Sequence, residues 1–275
     1  MPRPRPEALA LAEAYTLALR LPAAQGPSGH HKGRGTGASV EFQDHRSYLA
    51  GDDVRHLDWR AYARTDQLLL KRYREEVRPT LDLVLDLSAS MAADPDKAQR
   101  AVDLAALFAR AGAAEGLTVR IFAMGDKQER IELDRLLGQG LDYTGVRPLD
   151  EALVGFRSGS GVVLLLSDFL FPHAPDKLVR SVRAGRLGLV QVLSGFDLDP
   201  GRGGAVRFED SETSELVDLS LDEATLERYH GRLERLCDGL QVEARRRGGV
   251  YARVRSDLPL QGSARTLLEA GLLGL

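Results

Sequence analysis

TLDLVLDLSASM, residues 80 to 91, joins an apolar run to a turn of small hydroxylic residues. Thr80 to Leu87 has the length and composition of a strand buried on both faces, the kind found inside a parallel sheet. Shortly after it, Asp94-Pro95-Asp96 supplies an N-cap, a proline at the first helical position and an acid in the first turn. Ala98, Ala101, Val102, Ala105, Phe108 and Ala109 then keep one helical face apolar up to Gly116. Strand, small-residue turn and capped helix form the opening unit of an α/β sheet.

The pattern repeats downstream. Strands are expected over 117–124, 130–133, 161–167 (GVVLLLS), 187–193 and 250–255, and helices over 148–156, 175–184, 220–246 and 264–270. A Ser220-x-x-Glu223 capping box opens the long helix. Residues 205–209 and 215–218 suit a hairpin. The alternation predicts an α/β fold: a mostly parallel central sheet with helices on both faces.

Upstream, residues 7–21 have amphipathic helical spacing. Residues 25–39 (QGPSGHHKGRGTGAS) are Gly- and Ser-rich without apolar periodicity, and 40–78 is a dense block of charges and aromatics with one strand expected over 68–73. Two parts are therefore expected: an irregular N-terminal segment, 1–78, and a sheet domain, 79–275.

Composition limits the function. The 275 residues are 43% hydrophobic and 28% charged, with a net charge of −3. Residues 1–79 carry 13 Lys+Arg against 10 Asp+Glu, and the remainder 24 against 30. This mild division lacks the basic stripe of a nucleic-acid binder. One cysteine excludes a disulfide scaffold and a thiolate zinc site from this chain alone. No apolar run approaches the ~20 residues of a membrane span, and the start does not read as a secretion signal. A cytoplasmic protein without a membrane span is expected.

In open α/β sheets, ligands bind at the C-terminal ends of the strands. There Asp86-x-Ser88-x-Ser90 sets a carboxylate and two hydroxyls on alternate residues, and the strand over 161–167 runs into Asp168. Such hard oxygen donors suit Mg²⁺. This arrangement resembles a von Willebrand factor type A-like domain with its metal-ion-dependent adhesion site. The resemblance implies Asp86, Ser88, Ser90 and Asp168 as ligands, and a threonine from a second loop. Counting back from Ala152-Leu153 puts Arg147 at the threonine's place, with Thr144 three residues too early. A guanidinium beside two carboxylates would compete with the ion. The expectation is a degenerate site with weak or absent Mg²⁺ binding and Arg147 in the ion's stead.

The upstream block is more specific. Asp44-x-Arg46-x-Tyr48, Gly51-Asp52-Asp53-x-Arg55-x-x-Asp58-Trp59, Ala63-Arg64 and Lys71-x-Tyr73-x-Glu75-Glu76 follow one another closely. They resemble the bacterial family called "domain of unknown function 58", whose members carry such a block before a type A-like domain and often lie beside MoxR-type AAA+ ATPases. The resemblance implies a non-enzymatic adaptor or chaperone-like partner of such a motor. From the residues alone, Asp52, Asp53, Asp58 and Arg64 suit a salt-bridged latch. Trp59, Arg55 and Arg147 suit a partner-docking surface.

Other chemistries are poorer matches. An aspartyl-phosphate enzyme needs an acid two residues after Asp86, where Ser88 stands. Gly159-Ser160-Gly161 precedes a strand instead of forming a nucleophile elbow. Gly33-x-Gly35-x-Gly37 follows no strand, and the adjacent His30 and His31 are poorly placed to chelate together. Cys237 lies on the apolar face of the long helix. The enzymatic alternative is a Mg²⁺-dependent hydrolase using Asp86 and Asp168, without an evident base.

Overall fold

A computed structural model describes residues 1–19, 40–49, 52–75, 79–158, 161–171, 173–201, 203–211 and 213–275. The 25–39 stretch with its histidines and glycines, Gly51 and Gly159-Ser160 lie outside these residues. In chain order the elements begin with α1 (Pro6–Leu11), β1 (Thr16–Leu17), β2 (Val40–Ser47), α2 (Trp59–Thr65) and β3 (Leu69–Glu75). The middle comprises β4 (Thr80–Asp86), α3 (Pro95–Ala114), β5 (Thr118–Met124), β6 (Gln128–Ile131), α4 (Leu133–Gly138), α5 (Leu149–Ala152) and β7 (Val162–Ser167). The end comprises α6 (Pro175–Ser181), β8 (Arg186–Leu193), α7 (Gly195–Leu198), β9 (Gly204–Glu209), β10 (Leu216–Leu221), α8 (Glu223–Arg246), β11 (Val250–Arg255), α9 (Leu260–Glu269) and β12 (Leu273–Gly274). They fall into two compact units: Met1–Pro22 together with Thr80–Leu275, and Ala23–Pro79.

In the larger unit six strands pair in the order β11-β8-β7-β4-β5-β6, parallel throughout except for the antiparallel edge strand β6. Alternation along the strands feeds two cores. Leu81, Leu83 and Leu85 of β4 face Leu104 and Phe108 of α3 and Leu260 and Leu267 of α9. Val84, with Val163 and Leu165 of β7, meets Leu149, Leu178 and Leu240 from α5, α6 and α8. The expected layered α/β architecture is what forms. From β4 the chain moves to β5 on one side and later returns to β7 on the other, so the strand order reverses between β4 and β7. A crevice at that switch point is where such sheets bind ligands.

Residues 1–19 fall in the unit of the sheet, whereas the expected N-terminal segment ran from 1 to 78. Asp103, fully buried in α3, accepts from the Arg5 backbone N–H at 2.8 Å and from its Nε at 2.8 Å, with Nη2 at 2.6 Å. Gln99 Nε2 donates to the Arg3 carbonyl at 2.7 Å, and β1 pairs antiparallel with β12. A buried carboxylate must find a cation, and here it finds one 98 residues away in sequence. The helix expected over 7–21 accordingly stops at Leu11, and Leu17 and Leu19 become core.

Smaller differences have local causes. Asp222 caps α8 by accepting from the Thr225 N–H at 2.8 Å, replacing the capping box expected from Ser220. α5 ends four residues short of the expected Phe156, beside Gly155 at φ +80°. In the smaller unit, β2 and β3 form an antiparallel pair with a bulge between Phe42 and Asp44, where an irregular segment was expected before residue 68.

Candidate functional site

β4 delivers Asp86 and β7 delivers Ser167-Asp168 to adjacent positions at the C-terminal edge of the sheet. Asp86 is buried. Its Oδ1 accepts from the Ser88 N–H at 2.9 Å, and its Oδ2 accepts from the Ser167 hydroxyl at 2.5 Å. The hydroxyls of Ser88 and Ser90 lie 2.9 Å apart in a short 3-10 turn over Ala89–Ala92. Asp168 is clamped at every polar atom. Its N–H points at Met91 Sδ at 3.1 Å, and its carbonyl accepts from Gln191 Nε2 at 2.8 Å. Its Oδ1 accepts from the Leu170 N–H at 3.0 Å. Buried Phe169 follows in the left-handed region at φ +53°, a strained backbone for an aromatic residue that typically clusters at functional turns.

The fourth Asp168 contact is the decisive one. Lys97, on α3 and only 2% exposed, donates from Nζ to Asp168 Oδ2 at 2.7 Å and lies 3.2 Å from Asp197 Oδ2. Asp197 is fixed in turn by a capping box with Ser194, whose N–H donates to Oδ2 at 2.8 Å. Burial opposes charge on Lys97, but Asp168 and Asp197 outweigh it and raise its pKa above the ordinary lysine value. Lys97 is thus a buried, charged partner of two aspartates.

Arg147 does not take the expected place. It is exposed, and its Nη2 donates to the Glu151 carbonyl at 3.3 Å. The second loop bonds to the Asp86 turn through its main chain: Gly145 N–H donates to the Leu87 carbonyl at 3.0 Å, and the Ala89 N–H donates to the Gly145 carbonyl at 2.8 Å. A Cβ at Gly145 would meet Gly125 Cα and the Leu87 carbonyl oxygen at 3.0 Å each, so any other residue would require this backbone to give way by a few tenths of an ångström. Thr144 is exposed.

These donors do not fit a Mg²⁺ ion held as the type A-like resemblance implies. One carboxylate is bound to an ammonium, the two serine hydroxyls are bound to each other, and Arg147 of the second loop bonds to the Glu151 carbonyl instead. Nor do three or more His, Cys, Asp or Glu side chains cluster as a metal site among the described residues.

In the smaller unit the acids find partners within their own block. Asp52 pairs with Arg46 at 2.6 Å and Asp53 with Arg55 at 2.6 Å. Asp58 caps α2 at the Arg60 and Ala61 N–H groups and meets His45 Nε2 at 2.8 Å. Arg64 donates to the Arg60 carbonyl at 3.3 Å. Trp59 is 62% exposed, edge-on to Tyr62 with ring centroids 6.4 Å apart. Cys237 is buried, its thiol donating to Gln191 Oε1 at 3.2 Å.

Residues 44–133 match a family model described as a protein of unknown function, DUF58. Over these residues the chain is similar to that family. The DUF58 segment runs from the charged block through β4, the Asp86 turn, Lys97 and β5. Two relatives, Uncharacterized protein Mb1516 of Mycobacterium bovis and Uncharacterized protein Rv1480 of Mycobacterium tuberculosis, are each 28% identical over 219 residues, covering 71% of this chain and 68% of theirs. Among solved structures, an aerotolerance-related membrane protein from Bacteroides fragilis aligns at 13% identity and TM-score 0.36, covering 70% of this chain and 98% of that one. Conserved hypothetical protein BatB from Bacteroides thetaiotaomicron aligns at 10% identity and TM-score 0.34, covering 68% and 98%. Among the described residues, no helix is long and apolar enough to cross a membrane.

The site's electrostatics can be tested. Burial, and then the Asp168 charge, push the Asp86 carboxyl up to about 7, against the hydrogen bonds from Ser167 and Ser88. A carboxyl raised in the fold stabilises it below the unfolded value, and that contribution is lost as pH rises through the folded one. Asp86→Asn keeps the acceptor for Ser88 and mimics the neutral acid. It is expected to stabilise the protein by about 2 kcal/mol at pH 8 in chelator-treated buffer. The gain should vanish near pH 4 when denaturant unfolding is followed across pH. Equal or lower stability than wild type at pH 8 would contradict a raised Asp86.

Proposed function

We propose that the chain is a non-enzymatic, cytoplasmic protein-interaction module, an adaptor or chaperone-like partner of a MoxR-type AAA+ ATPase, docking through the loops at the C-terminal edge of its large sheet. The observation that carries this reading is the rim of that edge. Val146, Leu170 and Phe196, each on a different connection, are 55%, 38% and 55% exposed, and Arg147 stands beside Val146. Scattered apolar exposure is ordinary, but three such residues on connections at one edge of the sheet, with an arginine, have the composition of a hot-spot patch. The polar groups beneath hold the loops in place: Asp86, Ser88, Ser167, Asp168 and Lys97 bond to one another. This pairing also favours docking over Mg²⁺-dependent hydrolysis, because the carboxylate that would hold a catalytic ion is bound to an ammonium.

The test is sedimentation of the chain with the purified MoxR-type ATPase of the same genome, in ATP and ADP. Val146→Asp with Phe196→Asp is expected to weaken association at least about tenfold, and Arg147→Glu by several-fold through loss of an acidic contact. Unchanged affinity in both variants would exclude this face. No association of the wild-type chain in either nucleotide would exclude the ATPase as partner.

The exposure of Trp59 favours a second docking surface on the smaller unit. Trp59→Ala is expected to change stability by less than about 0.5 kcal/mol in thermal unfolding. A loss of several degrees in Tm would identify Trp59 as part of a latch instead.

A further inference from the structure

We propose that the Lys97 ammonium is the resident cation of the strand-end site, so that this chain organises its Asp86/Asp168 turns without a divalent ion. The inference concerns the charge inside the site and stands whether or not the rim docks a partner.

Position is the first argument. Lys97 comes from the first turn of α3, the helix that begins directly after the Asp86 turn, and its Nζ lies against the carboxylate at the end of the neighbouring strand. That is the switch point between β4 and β7, where the sheet directs its ligands. A lysine 2% exposed is held there only by compensating charge, and Asp168 and Asp197 at 2.7 and 3.2 Å supply it.

The commitment of the donors is the second. Asp168 has its second oxygen on the Leu170 N–H, its carbonyl on Gln191 and its following residue in a strained left-handed turn. The carboxylate therefore cannot turn toward an ion without breaking several contacts at once. Asp86 spends its two oxygens on Ser88 N–H and Ser167. Ser88 and Ser90 hydroxyls satisfy each other. A divalent ion entering here would be repelled by a buried ammonium, and Arg147 of the second loop is bound elsewhere, to the Glu151 carbonyl. Mg²⁺, which demands near-octahedral oxygen ligation, is the ion least served by such a set.

Isothermal titration of the full chain with MgCl₂ and MnCl₂, paired with electron paramagnetic resonance of Mn²⁺, tests this directly. Wild type is expected to show no stoichiometric binding of either ion at millimolar concentration. Lys97→Met, which leaves Asp168 without its cation, is expected to gain Mn²⁺ affinity by at least about tenfold, while Lys97→Arg stays like wild type. Stoichiometric Mg²⁺ or Mn²⁺ binding by wild type, abolished by Asp168→Asn, would overturn the proposal. So would a folded Lys97→Met that binds Mn²⁺ no better than wild type. Should that variant fail to fold by circular dichroism, the wild-type titration still decides.

Discussion

Lys97→Met is expected to destabilise the protein by about 3–5 kcal/mol, the usual result of removing one partner from a buried ion pair. For a chain of this size that corresponds to a fall in Tm of roughly 10 °C. The cost arises less from the lost contact than from what is left behind. Asp168 is almost fully buried and would retain a charge with only the Leu170 N–H on its carboxylate. Asp197 has a smaller stake, because Ser194 still caps it and part of its side chain reaches solvent. Adding Asp168→Asn should therefore recover most of the loss, and a double-mutant cycle by chemical denaturation measures that coupling. A single variant within about 1 kcal/mol of wild type would mean that the pair is hydrated or absent in solution.

Arg5→Met is the second large effect, at about 3 kcal/mol. Asp103 is completely buried, and Arg5 supplies its guanidinium and one backbone N–H; Gln99 Nε2 adds a weaker bond at 3.2 Å. Hydrogen bonds to a charged group contribute about 1.5–3 kcal/mol each way, and the Arg5 side chain makes two. The loss should be localised. Hydrogen exchange ought to accelerate in α1 and in the β1–β12 pair while β4 and β7 remain protected. Unchanged exchange in α1 would show that the N-terminal segment docks by apolar packing alone, through Ala8, Leu17 and Leu19.

The sheet was legible because its central strands are continuous apolar runs and its helices carry readable caps, as at Asp94-Pro95. The same logic put Asp86, Ser88, Ser90 and Asp168 at or just after strand ends, since strand-end position is a local property of sequence. Arg147 failed because counting along a loop presumes the loop's path. Here Gly145 makes the approach with its main chain, Pro148 starts α5, and the arginine between them is turned to solvent.

Lys97 was readable in principle. It stands at i, i+4, i+7 and i+11 with Ala101, Leu104 and Phe108, all buried on α3, and a lysine on an apolar stripe signals a buried ion pair. Its partner Asp197 was not readable. Local sequence identifies that residue only as the third helical position of a capping box, and its meeting with Lys97 depends on which strands are neighbours. Phe169 carries no sequence signal for a left-handed backbone. The pairing of two-residue β1 with β12 is equally invisible, being too short for any periodicity.

A crystal structure of the wild-type protein grown in MnCl₂, with anomalous diffraction recorded for manganese, examines the strand-end site most directly. The expected result is the Lys97 ammonium between Asp168 and Asp197 with no anomalous peak beside Ser88 and Ser90. An anomalous peak coordinated by Ser88, Ser90 and Asp168, with the Lys97 side chain displaced, would contradict it.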